Sequence, residues 1–334
     1  MAQKKVLLPQ PIADDAHKLL EEHGYEVVLA DNLKVETVEP LIGDAHAIVL
    51  RTGISITADL MAKAKKLETI SRTGGGVDNV DLEAATKHGV LVTSSLGVNT
   101  STVVEHSLAM MLSLFKQLPV LDRELRANNY RIRYKNLPRD VRGKTLGVVG
   151  FGRIGSGLAR ICRQSLDMKI MAFDEYLPDE IKKKNSDWVD FVELDELMKN
   201  SDVVSLHIPA TPETKGMINR TYFEMMKDDA VLINASRGEV VDEADLAEAL
   251  EAEKIGGAGI DVFAQEPPAE DSPLLKSKNT ILTPHSAALT NECVVRMAVS
   301  GASRVIDVFE GRKPASIANP EVLEQEKWKD LEDQ

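Results

Sequence analysis

The 334-residue chain is 43% hydrophobic and only 4% aromatic, which gives length for two domains and apolar mass for a core in each. A formal net charge of −13 opposes a nucleic-acid role, since binding a polyanion is driven largely by neutralising its phosphates. No apolar run approaches the ~20 residues of a membrane span, and the N-terminus enters a short strand with no signal-peptide core, so no membrane partner and a cytoplasmic location are expected.

Short β-like runs at 6–8, 26–29, 47–50, 67–71 and 90–93 alternate with amphipathic stretches such as 13–22 and 81–88, which predicts a parallel sheet flanked by helices. Two of these runs end in residues suited to anions. Arg51, in Leu50-Arg51-Thr52-Gly53, supplies a positive charge. The run 67–71 leads into Arg72-Thr73-Gly74-Gly75-Gly76-Val77-Asp78-Asn79, where three glycines expose backbone N–H groups to a substrate carboxylate. A plain flexible turn is the duller reading of the same glycines. A long helical pattern at 101–116 follows, and then a basic segment, 123–144, with eight Lys or Arg residues against two acids. That segment reads either as a solvated helix and loop or as an anionic-substrate or subunit contact.

A second alternating series starts at 145 and continues through 170–173, 203–207, 230–234, 257–261 and 280–282. Its first strand runs into Gly150-Phe151-Gly152-Arg153-Ile154-Gly155, a helical pattern follows, and the next strand is closed by Asp174. Strand, glycine turn, helix and spaced acid together indicate a dinucleotide-binding unit rather than a structural glycine turn. Gly150 permits the tight turn, Gly152 leaves room for a pyrophosphate, and Gly155 lets the helix pack on the strand. Asp174 can accept hydrogen bonds from both ribose hydroxyls, and with Glu175 would repel a 2′-phosphate, so NAD is favoured over NADP. Cys162 and Cys293 fall inside helical patterns far apart in sequence, which suits a reducing compartment and offers no zinc-ligand spacing, so both are expected in the core and no metal is expected.

A final long helical pattern, 290–310, is free to return to the first series. The expected fold is therefore α/β with two doubly wound parallel-sheet domains: a Rossmann nucleotide domain, 102–290, inserted into a discontinuous, flavodoxin-like substrate domain, 1–101 plus 291–334.

Ligands of such sheets bind beyond the carboxyl ends of the strands. Those ends carry Ala235-Ser236-Arg237-Gly238, then Val262 to Pro268 with Glu266, then Thr283-Pro284-His285-Ser286-Ala287-Ala288. Hydride transfer to a carbonyl leaves an alkoxide that needs a proton donor poised near neutral pH, which suits His285. A carboxylate on the other ring nitrogen, Glu266, would orient the ring and favour imidazolium, while Arg237 can hold a planar carboxylate through two parallel hydrogen bonds. Each alone has a structural explanation; three at successive strand ends suit reduction of a 2-oxo acid. His17, His23, His46 and His88 sit in or beside outer-domain elements, His106 inside a long helix suits a packed or hydrogen-bonded role, and His207 can line the adenine side of a cofactor.

The sequence resembles the D-isomer-specific 2-hydroxyacid dehydrogenases, particularly their phosphoglycerate dehydrogenase and hydroxypyruvate reductase branch. The likeness runs through Arg51-Thr52, 74–81, Glu105-His106, 147–155, 234–242, 261–268, 283–288 and Asn319-Pro320-Glu321-Val322. It implies Arg237 as the residue that binds and polarises substrate, His285 as acid–base and Glu266 as its partner. It also implies Arg153 and Ile154 at the pyrophosphate, Asp174 at the ribose, Ile208 and Pro209 near the adenine, and Ala235 and Asp261 at the nicotinamide, with Ser236, His285 and Ala288 beside the cofactor. Gly75 and Gly76 would approach substrate and cofactor together. Members are usually homodimers embraced by the segment corresponding to 101–144, so Tyr130, Arg131 and Arg133 would approach a neighbouring subunit's site. The sequence departs from the family in the small Ser286-Ala287-Ala288-Leu289 after the histidine, which bears on pocket shape. It also stops where many phosphoglycerate dehydrogenases continue, so serine feedback is not expected. An NAD(H)-sensing binding protein or corepressor on the same fold is the alternative reading. Oxidation of formate or phosphite is a third, which no sequence feature favours.

Overall fold

The computed structural model describes residues 3–135 and 137–333. The chain forms two compact units, Met1–Asn99 with Leu289–Gln334, and Thr100–Ala288. In the first, β1 (Lys5–Leu8), α1 (Asp14–Glu22), β2 (Glu26–Leu29), α2 (Val35–Ile42), β3 (Ala47–Leu50), α3 (Ala58–Lys63), β4 (Thr69–Arg72), α4 (Leu82–Lys87) and β5 (Leu91–Ser94) alternate. All paired strands are parallel, in the doubly wound order β2-β1-β3-β4-β5. The two-residue period of the strands sorts their side chains. Leu7, Ile48, Leu50, Ile70 and Val92 pack with residues of α2, α3 and α4, while Val6, Leu8, Ala47 and Val49 face the opposite way, toward α1.

The second unit contains α5 (Thr100–Phe115), α6 (Leu118–Arg126), β6 (Thr145–Val149), α7 (Arg153–Leu166), β7 (Lys169–Phe173), α8 (Asp179–Asn185), β8 (Asp190–Phe191), α9 (Leu194–Asn200), β9 (Val203–Leu206), α10 (Arg220–Met225), β10 (Val231–Asn234), α11 (Glu243–Glu251), β11 (Gly257–Ile260) and β12 (Thr280–Leu282). Its strands, again parallel, follow the order β12-β11-β10-β9-β6-β7-β8, so the direction of winding switches between β6 and β9. That is a Rossmann order with one added strand. One face packs on α5 and α7 through Met110, Phe115, Leu158 and Cys162, and the other on α9, α10 and α11 through Leu197, Phe223 and Leu246.

The last helix, α12 (Asn291–Phe309), begins at Thr290, whose Oγ1 accepts a hydrogen bond from the Cys293 N–H at 3.2 Å. It returns to the first unit and lays Ala298, Ala302 and Val305 on the β1 and β3 face beside α1. The tail then fastens to β5. Asn319 Oδ1 accepts from Val92 N at 2.9 Å, its Nδ2 donates to Val90 O at 3.0 Å, and Trp328 Nε1 donates to Gly89 O at 3.1 Å.

Both expected parallel sheets are present. The strands expected at 67–71 and 90–93 lie at Thr69–Arg72 and Leu91–Ser94. The basic segment is an amphipathic helix, α6, set off from α5 by Gln117 at φ +51°, and a 3-10 turn, Tyr130–Tyr134. Both cysteines are buried, and burial pushes the Cys162 thiol up to about 12, which removes its nucleophilic character. Among the described residues no helix is long and apolar enough to cross a membrane.

Candidate active site

The glycine turn after β6 is shaped by close approach. Gly150 has φ +92°, and a Cβ there would lie 2.6 Å from the His207 carbonyl oxygen. At Gly155 a Cβ would collide with the Gly150 carbonyl oxygen, so only glycine lets α7 close on the strand. Gly152 differs, because a Cβ there meets nothing within 4 Å. It precedes α7 without making a side-chain cap, which leaves the first-turn amides of Arg153, Ile154 and Gly155 for an anion. The turn is braced from β7: Gly150 N donates to Phe173 O at 2.8 Å and Phe151 N to Asp174 Oδ2 at 2.8 Å. Asp174 Oδ1 accepts from Tyr176 N at 3.1 Å, and each carboxylate oxygen keeps a further lone pair for a hydroxyl. This geometry fits a dinucleotide.

His207 follows β9, with Nε2 2.9 Å from Ser205 Oγ. Burial pushes its imidazole down to about 4, so the ring is neutral at neutral pH. Ile208 packs against the Gly150 turn. The Pro209 carbonyl accepts from Thr214 Oγ1 at 2.7 Å.

The other strand ends carry titratable side chains. Pairing of Asn234 with Ile260 and of Ile260 with Leu282 brings β10, β11 and β12 to one edge in register. Asn234, buried at the end of β10, folds the next loop: its Oδ1 accepts from Ser236 N at 3.0 Å and Oγ at 2.8 Å, and its Nδ2 donates to Arg237 O at 2.9 Å. Ala235 and Ser236 are therefore held in a tight bend, and Arg237 Nη1 donates to Ser236 O at 2.7 Å. Gly238 packs directly against the Phe263–Ala264 peptide, and Ala264 N donates to Glu243 Oε1 at 2.6 Å. Glu266 completes the loop, Oε1 accepting from Phe263 N at 3.2 Å and Oε2 lying 2.7 Å from His285 Nδ1. The two side chains remain 39% and 43% exposed. With Nδ1 engaged by a carboxylate, Nε2 is the ring nitrogen left to meet a substrate.

His285 adopts φ +49°, a left-handed conformation held by its N–H, which donates to Asp261 O at 2.7 Å and Thr283 O at 3.1 Å. Asp261 is 1% exposed. Its carboxylate accepts from Thr283 Oγ1 at 2.6 Å, Ser286 N at 2.8 Å and Ala287 N at 2.9 Å. The resemblance assigns Asp261 to the nicotinamide; the structure engages this carboxylate in the loop that carries His285, and Ala288 follows the last amide it holds, that of Ala287.

Arg51 and the glycine loop belong to the first unit. Arg51 Nη1 donates to Pro11 O at 2.9 Å, while Asn79 Nδ2 donates to Arg51 O at 2.9 Å and Ile54 O at 2.8 Å. Asn79 Oδ1 accepts from Nε of the buried Arg72 at 2.7 Å, and Gly74 O accepts from Ser95 N at 2.9 Å. Among the described residues, the Gly75 and Gly76 amides have no acceptor within the chain. Sequence reasoning gave no role to Asn79, Asn234, Glu243 or Thr283. The available signal was a polar residue at or just beyond an apolar strand.

The family model described as D-isomer specific 2-hydroxyacid dehydrogenase, NAD binding domain, matches residues 108–287. The D-3-phosphoglycerate dehydrogenase of Archaeoglobus fulgidus is 37% identical over 307 residues, covering 92% of this chain and 58% of that protein. The glyoxylate reductase of Korarchaeum cryptofilum is 37% identical over 285 residues, covering 84% of this chain and 85% of that one. The crystal structure of the TT0316 protein from Thermus thermophilus superposes with a TM-score of 0.85 at 32% identity, covering 94% of this chain and 99% of that one. The chain spans about three fifths of the length of the archaeal phosphoglycerate dehydrogenases it matches, 58% and 61%. The glycine turn, the strand-end carboxylate and histidine, and these likenesses agree, and the chain belongs to the D-isomer-specific 2-hydroxyacid dehydrogenase family.

Proposed function

We propose that the chain is a cytoplasmic NAD-dependent dehydrogenase acting reversibly on a small 2-oxo or 2-hydroxy acid. The observation that carries the reading is the 2.7 Å contact between His285 Nδ1 and Glu266 Oε2, one strand from the loop of Arg237. NAD(H), when bound, supplies or accepts the hydride. Reduction leaves negative charge on the substrate oxygen, and His285 as imidazolium delivers a proton to it from Nε2. Glu266 fixes the ring by engaging Nδ1. Arg237 is assigned to the substrate carboxylate; within the first unit, the Gly75 and Gly76 amides and Arg51 are assigned to binding an anion. Asp174 and Glu175 select NAD, because two carboxylates repel a 2′-phosphate.

The named relatives act on phosphoglycerate or glyoxylate, so phosphohydroxypyruvate, hydroxypyruvate and glyoxylate are the first substrates to try. The working form is assigned as a homodimer. No residue of α6 is buried, and Leu118 and Leu125 are 53% and 57% exposed, an apolar face suited to a second copy. Arg133 stacks on Tyr130 and Tyr134, 5.2 and 5.0 Å from the ring centroids, and with Arg131 is assigned to a second anionic group of the substrate.

The test follows NADH absorbance with phosphohydroxypyruvate, hydroxypyruvate, glyoxylate, pyruvate and sulfopyruvate. Turnover on one of them is expected. NADH binding without turnover on any would overturn the proposed reaction.

A further inference from the structure

We propose that His106 is a positioning residue for the proposed reaction, acting on His285 through the Thr283 hydroxyl and the Asp261 carboxylate. The assignment rests on the reading of His285 as the proton donor. Helix α5 packs against β10, β11 and β12, and this brings His106 Nε2 to 3.1 Å from Thr283 Oγ1 although the two lie 177 residues apart in sequence. Thr283 Oγ1 lies 2.6 Å from Asp261 Oδ1, and His106 Nε2 itself comes within 3.7 Å of the same oxygen, so the hydroxyl is the shorter of two links between them.

Proton counting sets the direction of the relay. Asp261 accepts two backbone N–H bonds, and the Thr283 hydroxyl is oriented with its single proton toward the same carboxylate. Thr283 Oγ1 then has only lone pairs for His106, whose Nε2 must carry a proton and donate. Donation into the hydroxyl oxygen polarises its O–H toward Asp261. Asp261 in turn holds three consecutive amides: its carbonyl takes the His285 N–H, and its carboxylate takes those of Ser286 and Ala287. Those three bonds fix the left-handed backbone at His285 and so aim Nδ1 at Glu266. The relay is buried at Asp261 and reaches the surface at His106, whose side chain is 23% exposed.

The test compares His106→Leu and Thr283→Val, which break the relay, with His106→Gln and Thr283→Ser, which keep a donor and a hydroxyl. Turnover is measured beside NADH affinity, melting temperature and the downfield imidazole N–H proton resonance of His285, assigned by its loss in Glu266→Gln. The two breaking variants are expected to lower kcat about 10- to 100-fold with KM and NADH affinity within threefold, and to broaden the His285 resonance; the two conservative variants restore both. A kcat within twofold of wild type and an unaltered resonance in His106→Leu would overturn the proposal. So would His106→Gln failing as completely as His106→Leu with the same fall in melting temperature, the mark of a packing role. If the wild-type protein turns over none of the acids, the reaction assignment fails, and the resonance alone decides the relay.

Discussion

Beyond β10, β11 and β12 the proposed chemistry is assigned to side chains, each held by a partner at about hydrogen-bond length: Glu266 on His285, Asn234 around Ser236 and Arg237, and Asp261 beneath the histidine loop. Beyond β3 and β4 it is assigned to backbone amides that no acceptor among the described residues engages, on a loop supported by Arg72 and Asn79. A group that moves a proton needs a particular ring nitrogen aimed, so its edge is wired. A group that only receives an anion needs donors kept clear, so its edge is rich in glycine.

Substitutions can break or sharpen that contrast. The largest effect is expected for His285→Ala, with kcat falling about 10³-fold while NADH affinity, measured by fluorescence, stays within threefold; Glu266→Gln, which keeps the size of the side chain but not its carboxylate, should cost less. Next come two glycines of one turn. Gly155→Ala forces α7 from the strand and should cost about 3 kcal/mol, read as a fall of roughly 6–12 °C in Tm. Gly152→Ala, with open space around it, should keep Tm within about 1 °C yet weaken NADH binding. Loss of stability in both would refute the division of labour within the turn. In the first unit, Asn79→Ala removes the support of Arg72 and of two carbonyls; it should cost about 2 kcal/mol and raise KM for the acid more than it lowers kcat. The smallest effect concerns His207. Its folded pKa of about 4 lies below the ordinary 6.5, so the unfolded chain binds more protons between these values and stability should decline as pH falls through that window. Because the ring, though desolvated, keeps some accessible surface, the loss should be about 1–2 kcal/mol, and His207→Phe should flatten it in denaturant titrations at pH 4.5 and 7.

The sequence disclosed what local spacing encodes. Gly150, Gly152, Gly155 and Asp174 were legible because one strand, turn and helix carries them all, and Glu266 and His285 because each follows an apolar strand within six residues. The two-residue β8 is too short to show a period, and the break between α5 and α6 turns on a left-handed Gln117 with no glycine to mark it. Least legible were the links that cross the fold. His106 reads as an ordinary helical histidine until α5 is seated on β12, and Asp261 reads as an open ligand until the histidine loop closes over its carboxylate. Hydrogen bonds between distant segments leave no periodic trace in the chain.

The return of α12 to β1 and β3 also sets an order of assembly. As the chain is synthesised, the first sheet emerges with one face covered by α1 alone, and Ala298, Ala302 and Val305 arrive only after the whole second unit has been made. At ~5–20 residues per second, the roughly 200 intervening residues take about 10–40 s. For that interval Val6, Leu8, Ala47 and Val49 are only partly shielded, and a nascent chain stalled before residue 291 should be the species most dependent on chaperones.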